Sequence, residues 1–288
     1  MTRAGGAPLT WRTLWADVQA ALASSLESRR IIERTSGYDG AELLLHLDEP
    51  VPARAVPFAE AMVQRRAGGE PLQYVLGRWG FRQLDLFVDR RVLIPRPETE
   101  VLVEAVLVEL RRLAPERRSV VVELGTGSGA IALSVAHEAA GSEVWATDAS
   151  APALAVARAN LAGLGSRAAT RVRLLEGDWF GALPTELRGQ VDVVVSNPPY
   201  VAAGEELPAE VADWEPGDAL IAGPTGLEAL TEIVEQAPTW LSRPGVLVLE
   251  VAPHQATAVL ALVSDAGFSH AEVRPDLQGL LRVVVSRV

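Results

Sequence analysis

Two hydrophobic rhythms divide the chain. From Thr10 onward, Trp11, Leu14, Trp15, Val18, Leu22 and Leu26 recur every three or four residues, the spacing that lines one face of a helix. Further helical patches fall near Ala41–Leu47 and Pro57–Arg66, with Pro and Gly punctuating the gaps. The expectation is a small all-helical domain within residues 1–75, preceded by an unstructured lead over residues 1–9. Trp79–Val88 alternates weakly through Phe81, Leu84, Leu86 and Val88, which suggests a hairpin. In Leu93-Ile94-Pro95-Arg96-Pro97-Glu98-Thr99-Glu100 two prolines hold the backbone extended. A helix should follow over Glu98–Leu113, so residues 76–100 read as a hairpin and a stiff connector. From Ser119 a strand, loop, helix pattern repeats. Strands are expected at Val120–Leu124, Glu143–Thr147, Arg171–Leu175, Val191–Ser196, Val246–Val251, Ala271–Arg274 and Leu280–Ser286. Helices are expected at Ala130–Ala139, Ala151–Leu161, Leu227–Gln236 and Gln255–Ala266. Strands alternating with helices predict an α/β class with a doubly wound parallel sheet over residues 101–288.

Composition narrows the chemistry. A chain of 288 residues that is 49% hydrophobic and 22% charged can bury a large core and is not a disordered chain. The net charge is −11 and lies wholly in residues 91–288, where 26 acids face 15 Arg. That balance disfavours a phosphate-backbone ligand and suits a protein or small-molecule partner. There is no cysteine, hence no disulfide, thiolate metal site or cysteine nucleophile. All 26 basic residues are Arg, which excludes Lys Schiff-base chemistry and a P-loop lysine. The four histidines, His46, His137, His254 and His270, form no metal-ligand spacing, so no metal is expected. The first residues show no secretory signal and no run reaches 18 apolar residues; the expectation is a cytoplasmic protein with no membrane association.

Four motifs fall at the carboxyl ends of predicted strands. Glu123-Leu124-Gly125-Thr126-Gly127-Ser128-Gly129 joins the first strand to a helix, and its glycines permit a tight turn and close backbone approach to a ligand. A structural bend is the plainer reading of such a turn alone. Asp148 ends the second strand, 23 residues after Gly125, where an acid can accept from ribose hydroxyls. After the third strand comes Gly177-Asp178-Trp179-Phe180. Trp179 can lie against a purine ring and Asp178 can accept from an exocyclic amine; the alternative is a hydrophobic plug over the sheet. The fourth motif is Asn197-Pro198-Pro199-Tyr200. Two residues that precede proline are extended, and proline offers no N–H, so this backbone presents acceptors. The Asn197 side-chain carbonyl and the Pro198 backbone carbonyl can converge on one NH₂ group, and Tyr200 supplies a flat face.

The glycine loop, the strand-ending acid and Asn-Pro-Pro-Tyr resemble the Rossmann-like methyltransferases that use S-adenosylmethionine on planar amino groups. Gly69-Glu70-Pro71-Leu72-Gln73-Tyr74-Val75-Leu76-Gly77, the Leu93–Glu100 connector and Gly177–Phe180 narrow this. Together they resemble the release-factor glutamine methyltransferase family, from about Gly69 to the C-terminus. The resemblance implies a seven-stranded sheet with a reversed last strand behind the helical domain. It implies methyl transfer from S-adenosylmethionine, leaving S-adenosylhomocysteine, to the amide nitrogen of the Gly-Gly-Gln glutamine of class 1 release factors. By position, Gly125, Thr126, Gly127, Ser128, Gly129, Asp148, Trp179 and Asn197 would contact the cofactor, with the region of Arg96–Thr99 nearby. Asn197, Pro198, Pro199 and Tyr200 would hold the substrate glutamine, with Asn197, Pro198 and Tyr200 as the catalytic set. The helical domain would recognise the substrate, and the protein would act as a monomer without binding nucleic acid. One departure is Leu280-Leu281, where the family often has a charged pair. Alternatives are a glutamine methyltransferase of a ribosomal protein, a nucleic-acid amino methyltransferase, or a binding module that keeps the fold without activity.

Overall fold

In a computed structural model, residues 8–113 and 118–288 are described. The chain divides into two compact units, Met1–Gly77 and Arg78–Val288. In the first, α1 (Trp11–Leu22) opens on Thr10, whose side chain and backbone exchange hydrogen bonds with Thr13. It closes at Ala23, held left-handed at φ 52°. Ser24 then caps α2 (Ser25–Ser36), accepting from the Glu27 N–H at 3.3 Å. The single apolar stripe expected from Trp11 through Leu26 is therefore two helices, and Leu26 is 65% exposed. The Ser24-to-Glu27 spacing is the capping signal that marks this boundary. α3 (Ala41–Leu45), α4 (Ala55–Ala67) and α5 (Leu72–Leu76) complete the unit. Its core holds Trp11, Leu14, Ile31, Ile32, Leu43, Met62 and Tyr74. Arg66 grips Glu27 with two hydrogen bonds of 2.8 and 3.0 Å, tying α4 to α2. Of the lead expected over residues 1–9, residues 1–7 lie outside the described part, and the Leu9 carbonyl accepts from the Val51 N–H.

The second unit starts with the expected hairpin, β1 (Trp79–Phe81) and β2 (Leu84–Leu86), followed by α6 (Pro97–Leu113). Then come β3 (Ser119–Leu124), α7 (Ala130–Glu138), β4 (Ser142–Asp148), α8 (Ala151–Gly163), α9 (Ser166–Ala169), β5 (Val172–Glu176) and β6 (Val191–Ser196). β7 (Val201–Ala202), α10 (Ala209–Ala212) and β8 (Ile221–Gly223) follow, the two short strands pairing in parallel. α11 (Glu228–Trp240), β9 (Leu241–Glu250), α12 (Ala256–Asp265), β10 (His270–Pro275) and β11 (Leu281–Arg287) end the chain. The main sheet has seven strands in the order β10-β11-β9-β6-β3-β4-β5 among the described residues. β9, β6, β3, β4 and β5 are parallel, and β11 runs against β9 and β10. This is the doubly wound sheet with a reversed last strand.

Strand residues alternate between two cores. Val121, Val144, Ala146, Val193, Val195, Val248 and Val283 face α6 and α7. Val122, Leu124, Val194, Leu247, Leu249 and Val284 face α11 and α12. Strands covered on both faces read as nearly continuous apolar runs, which is why Val191–Val195 carries one polar residue. Each fully buried valine contributes roughly 1.5–3 kcal/mol.

The register sets the site. Leu124 pairs with Thr147 and Ser196, Thr147 with Leu175, and Ser196 with Leu249. The strand tips therefore finish level. The next residue on each strand is Gly125, Asp148, Glu176, Asn197 and Glu250.

Candidate active site

Strand order reverses at β3: β4 and β5 lie on one side, β6 and β9 on the other. Ligands of open α/β sheets bind outside the carboxyl ends at such a point. A cavity of about 480 Å³ opens there, lined by Gly125, Gly127, Asp148, Trp179, Asn197 and Pro199. Arg91–Leu93, Ala149–Ala153, Gly177–Asp178, Pro216, Asp218 and Ala219 complete its wall.

The glycine loop is braced from below. Gly125, Gly127 and Gly129 sit at φ 74°, 55° and 85°, a region that side chains with a Cβ rarely adopt. The Gly125 and Thr126 N–H groups donate to the Thr147 carbonyl. The Gly127 N–H donates to Asp148 Oδ2 at 2.7 Å, and the Ser150 N–H to Oδ1 at 2.8 Å. Burial pushes the Asp148 carboxyl up from its ordinary value, and these two N–H groups oppose that rise. Each oxygen keeps further acceptor capacity, and Asp148 lines the cavity. Thr126 and Ser128 do not line the cavity. Both are buried; the Thr126 hydroxyl donates to Glu123 Oε2 at 2.6 Å, and the Ser128 carbonyl accepts from Asn160 at 2.8 Å. Gly129 caps α7. Glu123 Oε2 also accepts from the Ala132 N–H at 3.0 Å, yet burial pushes this carboxyl up to about 8.

Trp179 is half-buried and held left-handed at φ 39°. For a bulky residue this is strained backbone, of the kind that clusters at ligand sites. Its ring edge lies against Gly125. Phe180 turns inward instead and stacks on Trp240 at 5.5 Å. The two readings of this motif thus divide between neighbours: cavity wall and core plug.

Asn197 Nδ2 donates to Thr99 Oγ1 at 3.3 Å, which leaves Oδ1 facing away from Thr99. No donor among the described residues reaches Asn197 Oδ1 or the Pro198 carbonyl. Pro198 is buried and Tyr200 half-buried, neither lining the cavity. The Tyr200 carbonyl accepts from Gln255 Nε2 at 2.9 Å, and the same nitrogen reaches the Gly226 carbonyl at 3.0 Å. Burial, with Glu250 nearby, pushes the Tyr200 hydroxyl up to about 12, so it stays neutral.

Residues beyond the sequence motifs complete the walls. Glu215, almost fully buried, accepts from the Ile94 N–H at 3.1 Å and pairs with Arg96. The Arg90 guanidinium lies over the Trp214 ring at 5.2 Å. These contacts hold the connector to the segment carrying Pro216 and Asp218. Only the acid–base pairing itself was available as a signal, across more than a hundred residues. No group of His, Asp or Glu with metal-site geometry occurs among the described residues, and no helix there is long and apolar enough to cross a membrane.

Comparison with known proteins assigns the family. Residues 99–213 match the family "Methyltransferase small domain", and residues 16–77 match "PrmC N-terminal domain". A release factor glutamine methyltransferase of Cereibacter sphaeroides is 41% identical over 91% of this chain and 90% of its own length. Relatives of the same name from Neisseria gonorrhoeae and Moorella thermoacetica are 40% and 45% identical. They cover 91% and 82% of this chain, and 93% and 82% of their own lengths. The chain belongs to the release factor glutamine methyltransferase family. Among solved structures, a methyltransferase from Pyrococcus furiosus aligns with TM-score 0.50 at 20% identity, over 72% of this chain and 89% of that one. The catalytic domain of hMettl16 aligns with TM-score 0.55 at 13% identity, over 82% and 81%. At these identities both show the fold alone.

Proposed function

We propose that the protein transfers a methyl group from S-adenosylmethionine to the side-chain amide nitrogen of the glutamine in the Gly-Gly-Gln motif of class 1 release factors. The observation that carries this is Asn197 in the wall of the cavity at the β3/β6 switch point, with its Oδ1 and the adjacent Pro198 carbonyl meeting no donor among the described residues. The cavity fits the cofactor: an acidic strand end at Asp148, a wall of exposed loop backbone at Gly125 and Gly127, and the Trp179 ring. Asp148 would take the ribose hydroxyls and Trp179 the adenine face. When bound, the cofactor supplies an electrophilic methyl group on a sulfonium.

The chain's own work is on the nucleophile. An amide nitrogen is poorly nucleophilic because its lone pair is delocalised. Asn197 Oδ1 and the Pro198 carbonyl each accept one N–H hydrogen, which returns electron density to nitrogen and fixes its direction. Tyr200 gives the planar group a face to lie on. Placement of two reactants is a large share of the available rate gain. Tyr200, neutral up to about 12, does not act as a base here. The helical unit would recruit the protein substrate, and the net charge of −11 favours such a partner over nucleic acid. We further infer a cytoplasmic monomer that works without metal.

The test is incubation with labelled S-adenosylmethionine and a class 1 release factor, with the Gly-Gly-Gln glutamine intact or replaced. Label should enter only the intact protein. Label that persists after replacement refutes the substrate.

A further inference from the structure

The level row of residues at the strand tips holds a carboxyl that the reaction above does not use. Glu250 follows Leu249 at the end of β9, and Asn197 follows Leu249's partner Ser196 at the end of β6. It is 1% exposed, and its Oε2 has no hydrogen-bond partner, a costly state for a buried polar atom. Thr99, in the first turn of α6 and 4% exposed, joins the two residues. Its Oγ1 accepts from Asn197 Nδ2 at 3.3 Å, and the Glu250 carboxylate lies within reach of its hydroxyl.

A hydroxyl has one proton. With that proton on Glu250, Thr99 can only accept from Asn197, so the NH₂ end of the Asn197 amide must face Thr99 and the oxygen must face away. We propose that Glu250 and Thr99 are positioning residues for methyl transfer: the ionised carboxylate fixes the Thr99 hydroxyl, and Thr99 holds the Asn197 amide with its oxygen towards the substrate. A flipped Asn197 would present its own NH₂ to the substrate NH₂, two donors face to face, and the nitrogen would not be held. The inference rests on the reading that Asn197 accepts from the substrate amide.

This arrangement depends on the charge of Glu250. A neutral Glu250 donates to Thr99, which frees the Thr99 proton for Asn197 Oδ1 and admits the flipped amide. The groups facing Glu250 are Arg96 from the connector, Glu98 and Thr99 from α6, Tyr200 after β6, and Arg282 from β11, itself paired with Asp276 at 3.5 Å. Burial, and then Glu98, oppose ionisation; Thr99, Arg282 and Arg96 favour it. The outcome is a carboxyl pushed up to about 7. Tyr200 stays neutral through that range. Turnover should therefore rise as the pH passes from about 6 to about 8.

The experiment measures kcat against pH for the full chain with S-adenosylmethionine and release factor. Thr99→Val keeps the shape and removes the hydroxyl; kcat should fall roughly tenfold to a hundredfold, the scale of a misplaced reacting group, and Thr99→Ser should restore it. Glu250→Gln mimics the neutral acid. It should hold kcat near the wild-type acid-side level at every pH, with a melting temperature at pH 8 equal to or above wild type because a buried charge is gone. Wild-type kcat in Thr99→Val, or an undiminished pH-dependent rise in Glu250→Gln, overturns the proposal. Asn197→Ala separates the two readings. Full turnover in Asn197→Ala removes the acceptor role on which everything here rests. Its collapse beside an active Thr99→Val removes the positioning alone.

Discussion

Replacing Glu123 by Gln should change how stability responds to alkali. Glu123 sits at the end of β3, 1% exposed, with Oε2 accepting from Thr126 and Ala132. Burial first, and the nearby Asp148 in addition, raise its carboxyl from 4.5 to about 8. The folded value lies above the unfolded one, so the folded state binds the extra proton between those limits. Its contribution is complete below about 4.5 and is lost as the pH climbs through about 8. Between pH 6 and pH 9 the wild type should lose about 2–3 kcal/mol from this group. The Glu123→Gln variant has no proton to lose at this position and should show no such loss. The assay is thermal or urea unfolding of both proteins at the two pH values, compared as the difference of differences so that all other titrating groups cancel. For a chain this size that corresponds to roughly 3–5 °C of divergence in melting temperature. Parallel losses in both proteins would show that Glu123 is already ionised in its pocket, and the reasoning would fail.

Three further outcomes are expected. Asn197→Ala should lower kcat by roughly 10²–10³, the scale for one preorganised polar contact at a reacting centre, read by methyl incorporation. Asp148→Ala should weaken S-adenosylmethionine binding roughly tenfold or more by calorimetry, because it removes the ribose acceptor and also releases the Gly127 N–H; unchanged affinity would remove the ribose assignment. Gly226→Ala should displace the Asn-Pro-Pro-Tyr loop, since φ is 79° and an added Cβ would lie 2.6 Å from the Tyr200 carbonyl oxygen. A loss of roughly 1–3 kcal/mol by melting, together with reduced kcat, is the expected reading.

Local chemistry made the strand tips legible in the sequence. Apolar runs such as Val191–Val195 announce buried strands, and each motif stands directly after such a run. Helix boundaries were legible where a cap fixes them and blurred where a stripe continued across one: α1 and α2 share a spacing that only Ala23 and Ser24 interrupt. α5 is five residues long, below the length at which periodicity carries a signal. Within the glycine motif, the resemblance assigns all five residues to the cofactor, but of these only Gly125 and Gly127 line the cavity, while Thr126 and Ser128 are buried beneath it. That division follows from which way each backbone unit turns. Glu215 and Ile94 meet across 121 residues, and Thr99 and Asn197 across 98. Such contacts arise from topology, and no local pattern encodes them.

The level finish of the strands restricts how this protein can vary. Gly125, Asp148, Asn197 and Glu250 share one row because β3, β4, β6 and β9 keep a common register. One residue inserted within any of these strands would advance its tip by about 3.3 Å and turn the tip side chain to the opposite face of the sheet. An insertion between Val201 and Gly226 would leave the row intact. Length differences among descendants of this chain should therefore collect in that segment and in the other loops, where they do not shift the row of strand tips.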